Sequence, residues 1–226
     1  MPGDLLLDPE FLRKLETLSP LSRRMVQSGL RGERRSSTLG RGVEYADYRS
    51  YQAGDDYRYI DWNIFSRLDR LFVKLFSEEE DINVHLLADQ SRSMAFPPAP
   101  AQPSKLQYAA RVAAAIGYIG LVNLDRVSVV AFDRQVTSLH GPGRGRGGAF
   151  HLFDFLGSLE PGGSSDLSAA LNEYAHRTRR RGLLVLLSDL LMPGGVGEAL
   201  KVARAHRFDL FVIHILSDED LTPALA

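Results

Sequence analysis

The stretch INVHLLAD at residues 82–89, running directly into QSRSM at residues 90–94, decides the fold. It is an apolar run of strand length that stops abruptly in a polar loop, the pattern of a strand buried on both faces. The same pattern returns in RVSVVAF (Arg126–Phe132), in LLVLLSD (Leu183–Asp189) and in DLFVIHIL (Asp209–Leu216). Helical segments alternate with these runs. Residues 105–124 are rich in alanine and apolar almost all round, as a helix packed on a sheet should be. Others are expected near Phe150–Leu159, from GGSSDL through Arg177, and over Gly195–His206. Gln135–Leu139 reads as an edge strand after a tight turn, and GPGRGRGG (141–148) as a flexible loop. Strands alternating with helices predict an α/β architecture, a doubly wound, mostly parallel sheet covered on both faces.

Upstream, the chain changes character. Residues 1–80 read as a separate module preceding an α/β domain at 81–226. Helix-start signals open Asp8–Leu18 and Ser19–Gln27. After them RGERRSSTLGRG predicts a loop, with six arginines close together when Arg23 and Arg24 are included. VEYADYRSY, DYRYIDW and RLFVKLF then carry β-rich character around a turn-like cluster, Gln52-Ala53-Gly54-Asp55-Asp56. In this module Trp62 is expected to be buried, Arg58, Arg67 and Arg70 to pair with nearby acids, and Glu78-Glu79-Glu80-Asp81 to be a solvated acidic face.

Composition narrows the function. Hydrophobic residues at 44% and charged residues at 24% are those of an ordinary globular chain. No cysteine is present, which excludes disulfides, thiolate metal sites and thiol nucleophiles. A formal net charge of −1 supplies no general attraction to nucleic acid or to an acidic membrane surface. The N-terminus has only a three-leucine apolar run, and no stretch approaches the length of a membrane span, so the expected location is cytoplasmic.

In a doubly wound sheet the ligand site lies beyond the carboxyl ends of the strands, where the winding reverses. Three segments at such ends carry hydroxyl and carboxylate oxygens together: Asp89-Gln90-Ser91-Arg92-Ser93, Ser164-Ser165-Asp166 and Ser188-Asp189. Hard divalent ions such as Mg²⁺ take oxygen ligands in near-octahedral geometry and keep several waters. Two serine hydroxyls spaced by two along a tight loop can turn toward one ion while carboxylates balance its charge. An open coordination position could then accept a carboxylate from another protein.

These segments resemble the metal-ion-dependent adhesion site of von Willebrand factor A domains. The string GRGVEYADYRSYQAGDDYRYIDWNIFSRLDRLFVKLFSEEED, running on into VHLLADQSRSM, resembles more specifically the bacterial family called domain of unknown function 58. The resemblance spans about Gly40 to Leu216. It implies that Asp89, Ser91 and Ser93 form the first metal-binding loop, that Asp189 contributes from a later strand end, and that Ser165 stands where threonine is common. The implied ion is Mg²⁺ or Mn²⁺. The implied role is that of an adaptor for a MoxR-type AAA+ ATPase or its client. Relatives usually continue beyond the position of Leu216, so a further edge strand and helix are expected outside this chain.

Simpler readings compete at each position. Asp and Ser favour turns and helix starts, so capping alone explains an Asp-x-Ser-x-Ser loop, and Asp166 stands where a helix begins. An aspartate ending the first strand could be the nucleophile of a phosphoryl-transfer or phosphatase reaction. The haloacid-dehalogenase-like form of that chemistry needs a second Asp two residues on, and Ser91 stands there. GPGRGRGG lacks the Gly-Lys-Ser/Thr end of a phosphate loop. The arginines at 23–41 lack the interleaved aromatics of a nucleic-acid surface. His85 and His214, inside apolar strands, read as core histidines. The expected function is therefore a metal-dependent, non-enzymatic protein-interaction domain.

Overall fold

The computed structural model describes residues 11, 13–15, 44–77, 82–97, 103–192 and 194–222. These fall into two compact units, one of residues 44–77 and one of residues 82–222 joined by 11 and 13–15. Phe11 and residues 13–15 are helical, and Leu15 is buried in the core of the larger unit. Most of the helix expected at Asp8–Leu18, and all of the Ser19–Gln27 helix, the arginine-rich loop and the Glu78–Asp81 run lie outside the described residues.

In the smaller unit, β1 (Glu44–Ser50) pairs antiparallel with β2 (Phe72–Ser77). The segment DYRYIDW is not a strand, although its alternating residues suggested one. Tyr57–Tyr59 form a 3₁₀ turn and Trp62–Leu68 form helix α1. The carboxylate of Asp61 starts that helix by accepting the backbone N–H groups of Asn63 and Ile64, and a good N-cap outweighs a weak alternating pattern. Trp62 is 60% exposed, against expectation, and meets Phe65 edge-to-face.

The larger unit is a five-stranded sheet in the order β5-β4-β3-β6-β7, with β3 (Asn83–Asp89), β4 (Arg126–Phe132), β5 (Val136–Gly143), β6 (Leu183–Ser188) and β7 (Asp209–His214). β4, β3, β6 and β7 run parallel and β5 is antiparallel to β4. Alternation along the central strands sends side chains to two cores. Val84, Leu86 and Ala88, with Val127, Val129 and Ala131, face helices α2 (Lys105–Val122) and α3 (Ala149–Gly157). Leu87, Val130, Phe132, Leu184 and Leu186 face α4 (Leu167–Arg177) and α5 (Gly197–Ala205). The alanine content of α2 and its glycines let it approach closely; a Cβ at Gly117 would stand 2.7 Å from Leu152. Among the described residues no helix is long and apolar enough to cross a membrane.

The sheet's margins differ from expectation. The first three residues of the GPGRGRGG stretch extend β5 through Gly143, with Val127 opposite Gly143. β7 is apolar but lies at the edge rather than in the core, so Phe211 is 55% and Val212 40% exposed. His214 is exposed as well.

His85 is a buried polar group of the second core. Its Nδ1 lies 2.7 Å from the Tyr174 hydroxyl, its ring packs edge-on against Tyr174 and Phe208, and its buried Nε2 has no partner. Burial first, and the positive charge of Arg181 second, push its pKa down from 6.5 to about 4. The folded chain therefore holds His85 neutral where the unfolded chain protonates it. Stability from this group is present above pH 6.5 and is lost as pH falls toward 4, by on the order of 3 kcal/mol in all. Urea unfolding across that window should show a shallower pH dependence in His85→Leu than in the native chain. Equal slopes would overturn the assignment.

Candidate functional site

The winding reverses between β3 and β6, since the chain goes outward from β3 through β4 to β5 and then returns to β6 and β7. Asp89 ends β3 and Ser188 ends β6, so the two flank the position where ligands bind such sheets. The loops there are tied to one another by backbone bonds. Gln90 N–H donates to Phe132 O, Gly162 N–H to Gln90 O, Arg92 N–H to Gly163 O and Asp166 N–H to Asp133 O. Gly163 has a φ of +63°, and a Cβ there would stand 2.4 Å from an Asp133 carboxylate oxygen, so only glycine suits this approach.

Asp89 is wholly buried and both its oxygens are hydrogen-bonded. Oδ1 accepts the Ser91 N–H at 2.8 Å, while Oδ2 accepts the hydroxyls of Ser165 at 3.0 Å and Ser188 at 2.6 Å. Thus Asp89, Ser165 and Ser188, far apart in sequence, share one cluster. Ser91 precedes the 3₁₀ turn Arg92–Ala95, but its hydroxyl makes no capping bond. It lies instead 3.2 Å from the Ser93 hydroxyl. Simple capping does not account for this pair. Asp166, by contrast, caps α4 by accepting Ala169 N–H.

Asp189 follows β6 and is also buried. Its Oδ1 accepts the Leu191 N–H at 3.1 Å. Its Oδ2 lies 2.8 Å from the ammonium of Lys105, a buried ion pair. Lys105 is 3% exposed and reaches on to Asp220 Oδ2 at 3.1 Å. Burial alone would lower the lysine pKa, but the carboxylates of Asp189 and Asp220 outweigh it and hold the pKa above its ordinary value. His214 Nε2 lies 3.0 Å from the Asp189 carbonyl oxygen. Lys105, Asp220 and His214 were not singled out from the sequence as members of the site. A lysine at the first position of a helix, where the dipole disfavours a cation, was the available signal for the first of them.

The donor set fits a hard cation. Two oxygens in adjacent octahedral positions, each about 2.0–2.1 Å from Mg²⁺, are about 3 Å apart, and the Ser91 and Ser93 hydroxyls match that spacing. Among the described residues no group of three or more His, Asp or Glu side chains could hold a metal. An ion here would lean on hydroxyls. Two carboxylates, Asp189 and Asp220, face the ammonium of Lys105.

The GDDYRYIDW string, which carries much of the family resemblance, contains structural interactions. Asp55 pairs with Arg49 at 2.8 Å, Asp56 pairs with Arg58, and Asp61 pairs with Lys74 at 3.1 Å. The Lys74 ammonium, then the backbone N–H groups, hold the Asp61 carboxyl below the usual carboxylate range. These acids are all engaged, and none is arranged as a general acid and base pair.

Residues 47–223 match the family described as protein of unknown function DUF58. The chain belongs to the DUF58 family. This DUF58 chain is 28% identical over 221 residues to the uncharacterized protein Rv1480 of Mycobacterium tuberculosis, which covers 95% of the chain and 68% of that relative. The same figures hold for the uncharacterized protein Mb1516 of Mycobacterium bovis. Among solved structures, the DUF58 chain is similar to an aerotolerance-related membrane protein from Bacteroides fragilis, with TM-score 0.44 and 21% identity over 59% of this chain and 67% of that one. It is similar also to a von Willebrand factor type A protein from Catenulispora acidiphila, with TM-score 0.41 and 16% identity over 62% and 34% of the two chains. A third is the manganese-loaded TRAP protein of Plasmodium vivax, with TM-score 0.40 and 21% identity over 60% and 57%.

Proposed function

We propose that this chain is a metal-ion-dependent protein-interaction domain that performs no catalysis, and that it works in the cytoplasm as an adaptor for a MoxR-type AAA+ ATPase or its client. In this reading Ser91, Ser93 and Ser165 supply hydroxyl ligands, and Asp89 and Asp189 balance the charge directly or through water. A bound Mg²⁺ or Mn²⁺ would offer an open position to a carboxylate of the partner. The observation that carries the reading is the pair of Ser91 and Ser93 hydroxyls, 3.2 Å apart and free of capping, beside the buried Asp89.

A nucleophilic role for Asp89 is disfavoured by its surroundings. The carboxylate is buried and already accepts three hydrogen bonds, which weakens it as a nucleophile. Nothing comparable opposes a role in orienting hydroxyl ligands. The ATPase partner comes from the family resemblance alone.

Calorimetric titration with Mn²⁺ tests the metal. Saturable binding is expected in the native chain, weakened on the order of tenfold or more in Ser93→Ala, which removes one exchangeable oxygen from a partly exposed loop. Absence of saturable binding to the native chain would overturn the reading.

A further inference from the structure

We propose that Lys105 is a tethered cation that competes with a divalent metal for Asp189, and that Asp220 sets the strength of that competition by offering the ammonium a second home. The inference rests on the metal-site reading above and deepens it.

Three observations carry it. First, Lys105 is where a lysine is ordinarily unfavourable: 3% exposed, and at the first position of α2, facing the positive end of the helix dipole. Its presence is not explained by helix stability. Second, Asp189 Oδ2 is buried, and the ammonium at 2.8 Å is what balances it. The hydroxyl of Ser188, the residue before Asp189, bonds Asp89, so a divalent ion at these strand ends would seek the same charge. Third, the Asp220 oxygen that faces the lysine, unlike that of Asp189, has support from other donors. It accepts both the N–H and the hydroxyl of Ser217, in the capping box of the short helix α6 (Asp218–Leu221). An ammonium displaced from Asp189 by the repulsion of a nearby dication therefore has an ordered acceptor, 3.1 Å from where it already stands.

The consequence is a coupling between the turn after β7 and the strand-end site. Coupling free energies are reciprocal, so whatever strengthens the hold of Asp220 on Lys105 strengthens metal binding, and whatever weakens it has the opposite effect. Lys105 acts on the metal through Asp189 and is a positioning residue, not a ligand.

Mn²⁺ binding by calorimetry, on folded chains checked by circular dichroism, tests this in four proteins: native, Lys105→Gln, Asp220→Asn and the double variant. Glutamine removes the charge yet can still donate to Asp189, which protects the fold. Lys105→Gln is expected to bind Mn²⁺ about tenfold more tightly, and Asp220→Asn several-fold more weakly, within the usual range of site-to-site coupling. In the Lys105→Gln background the Asp220 substitution should have no effect. Equal affinities in the native chain and Lys105→Gln would overturn the proposal while leaving the metal site standing. An Asp220→Asn effect that persists without Lys105 would overturn it too, because charge alone would then explain the loss. No Mn²⁺ binding in any of the four would overturn the metal-site reading itself, and this inference with it.

Discussion

Asp89→Ala should lower the stability of the chain by about 2–4 kcal/mol and abolish Mn²⁺ binding, whereas Asp89→Asn should abolish binding at a much smaller cost. The carboxylate is the shared acceptor of the Ser91 N–H and of the Ser165 and Ser188 hydroxyls, all within 3.0 Å. Alanine leaves those donors without a partner in a buried place, and each orphaned buried donor costs about 1–3 kcal/mol. Relief from burying an anion offsets part of the sum. The Ser188 hydroxyl also keeps its bond from Leu190 N–H, which softens the loss. Asparagine retains one carbonyl acceptor for Ser91 N–H, and the serine hydroxyls can rotate to accept from its amide. The negative charge that favours a dication is gone in both variants. Urea unfolding with Mn²⁺ titration on the same samples separates the two effects. An Asp89→Asn chain that is folded and still binds Mn²⁺ at native strength would remove Asp89 from the site.

How far the sequence reveals this molecule depends on the kind of signal. The strands β3, β4 and β6 were legible because each is buried on both faces, and an unbroken apolar run has few other uses in a chain of this composition. The clustering of Asp89, Ser165 and Ser188 follows from the same reading, since hydroxyls and carboxylates at strand ends meet wherever parallel strands stop together. β7 has the same apolar run, but an edge position is a property of sheet order, which hydropathy does not encode. The failure at DYRYIDW was of another kind. Alternation in Asp56-Tyr57-Arg58-Tyr59 breaks at Ile60, too short a span to specify a strand, and the cap from Asp61 decided the local structure.

The Lys105 cluster was the least legible part. Lys105 and Asp220 are separated by 115 residues and meet only because α2 begins and α6 follows β7 at the same end of the sheet. No local pattern announces such a pairing. Asp189 was read as a metal ligand from the resemblance, and the structure adds that a built-in cation already faces it. This changes what the residue does in the absence of metal. It balances the buried ammonium of Lys105 inside the chain.

Breaking that ion pair has a measurable cost. Lys105→Met should destabilise the chain by about 3–5 kcal/mol, the range for removing one partner of a buried ion pair and stranding the other charge. Methionine fills much of the volume of the lysine stem, so a cavity contributes little. What remains is Asp189, fully buried, with Leu191 N–H on one oxygen and nothing on the other. Asp189→Asn in the same chain removes the stranded charge and keeps that backbone bond. The double variant Lys105→Met/Asp189→Asn should therefore recover most of the loss, although each single change is destabilising. The coupling energy from a double-mutant cycle in urea at neutral pH is the decisive quantity, because it isolates the pair from the other contacts of either residue. Additive costs would mean that Lys105 stabilises the chain through Asp220 and its hydrocarbon stem, and that the 2.8 Å contact with Asp189 is energetically idle. A strong coupling would make the 2.8 Å contact with Asp189 the main source of the stability that Lys105 provides.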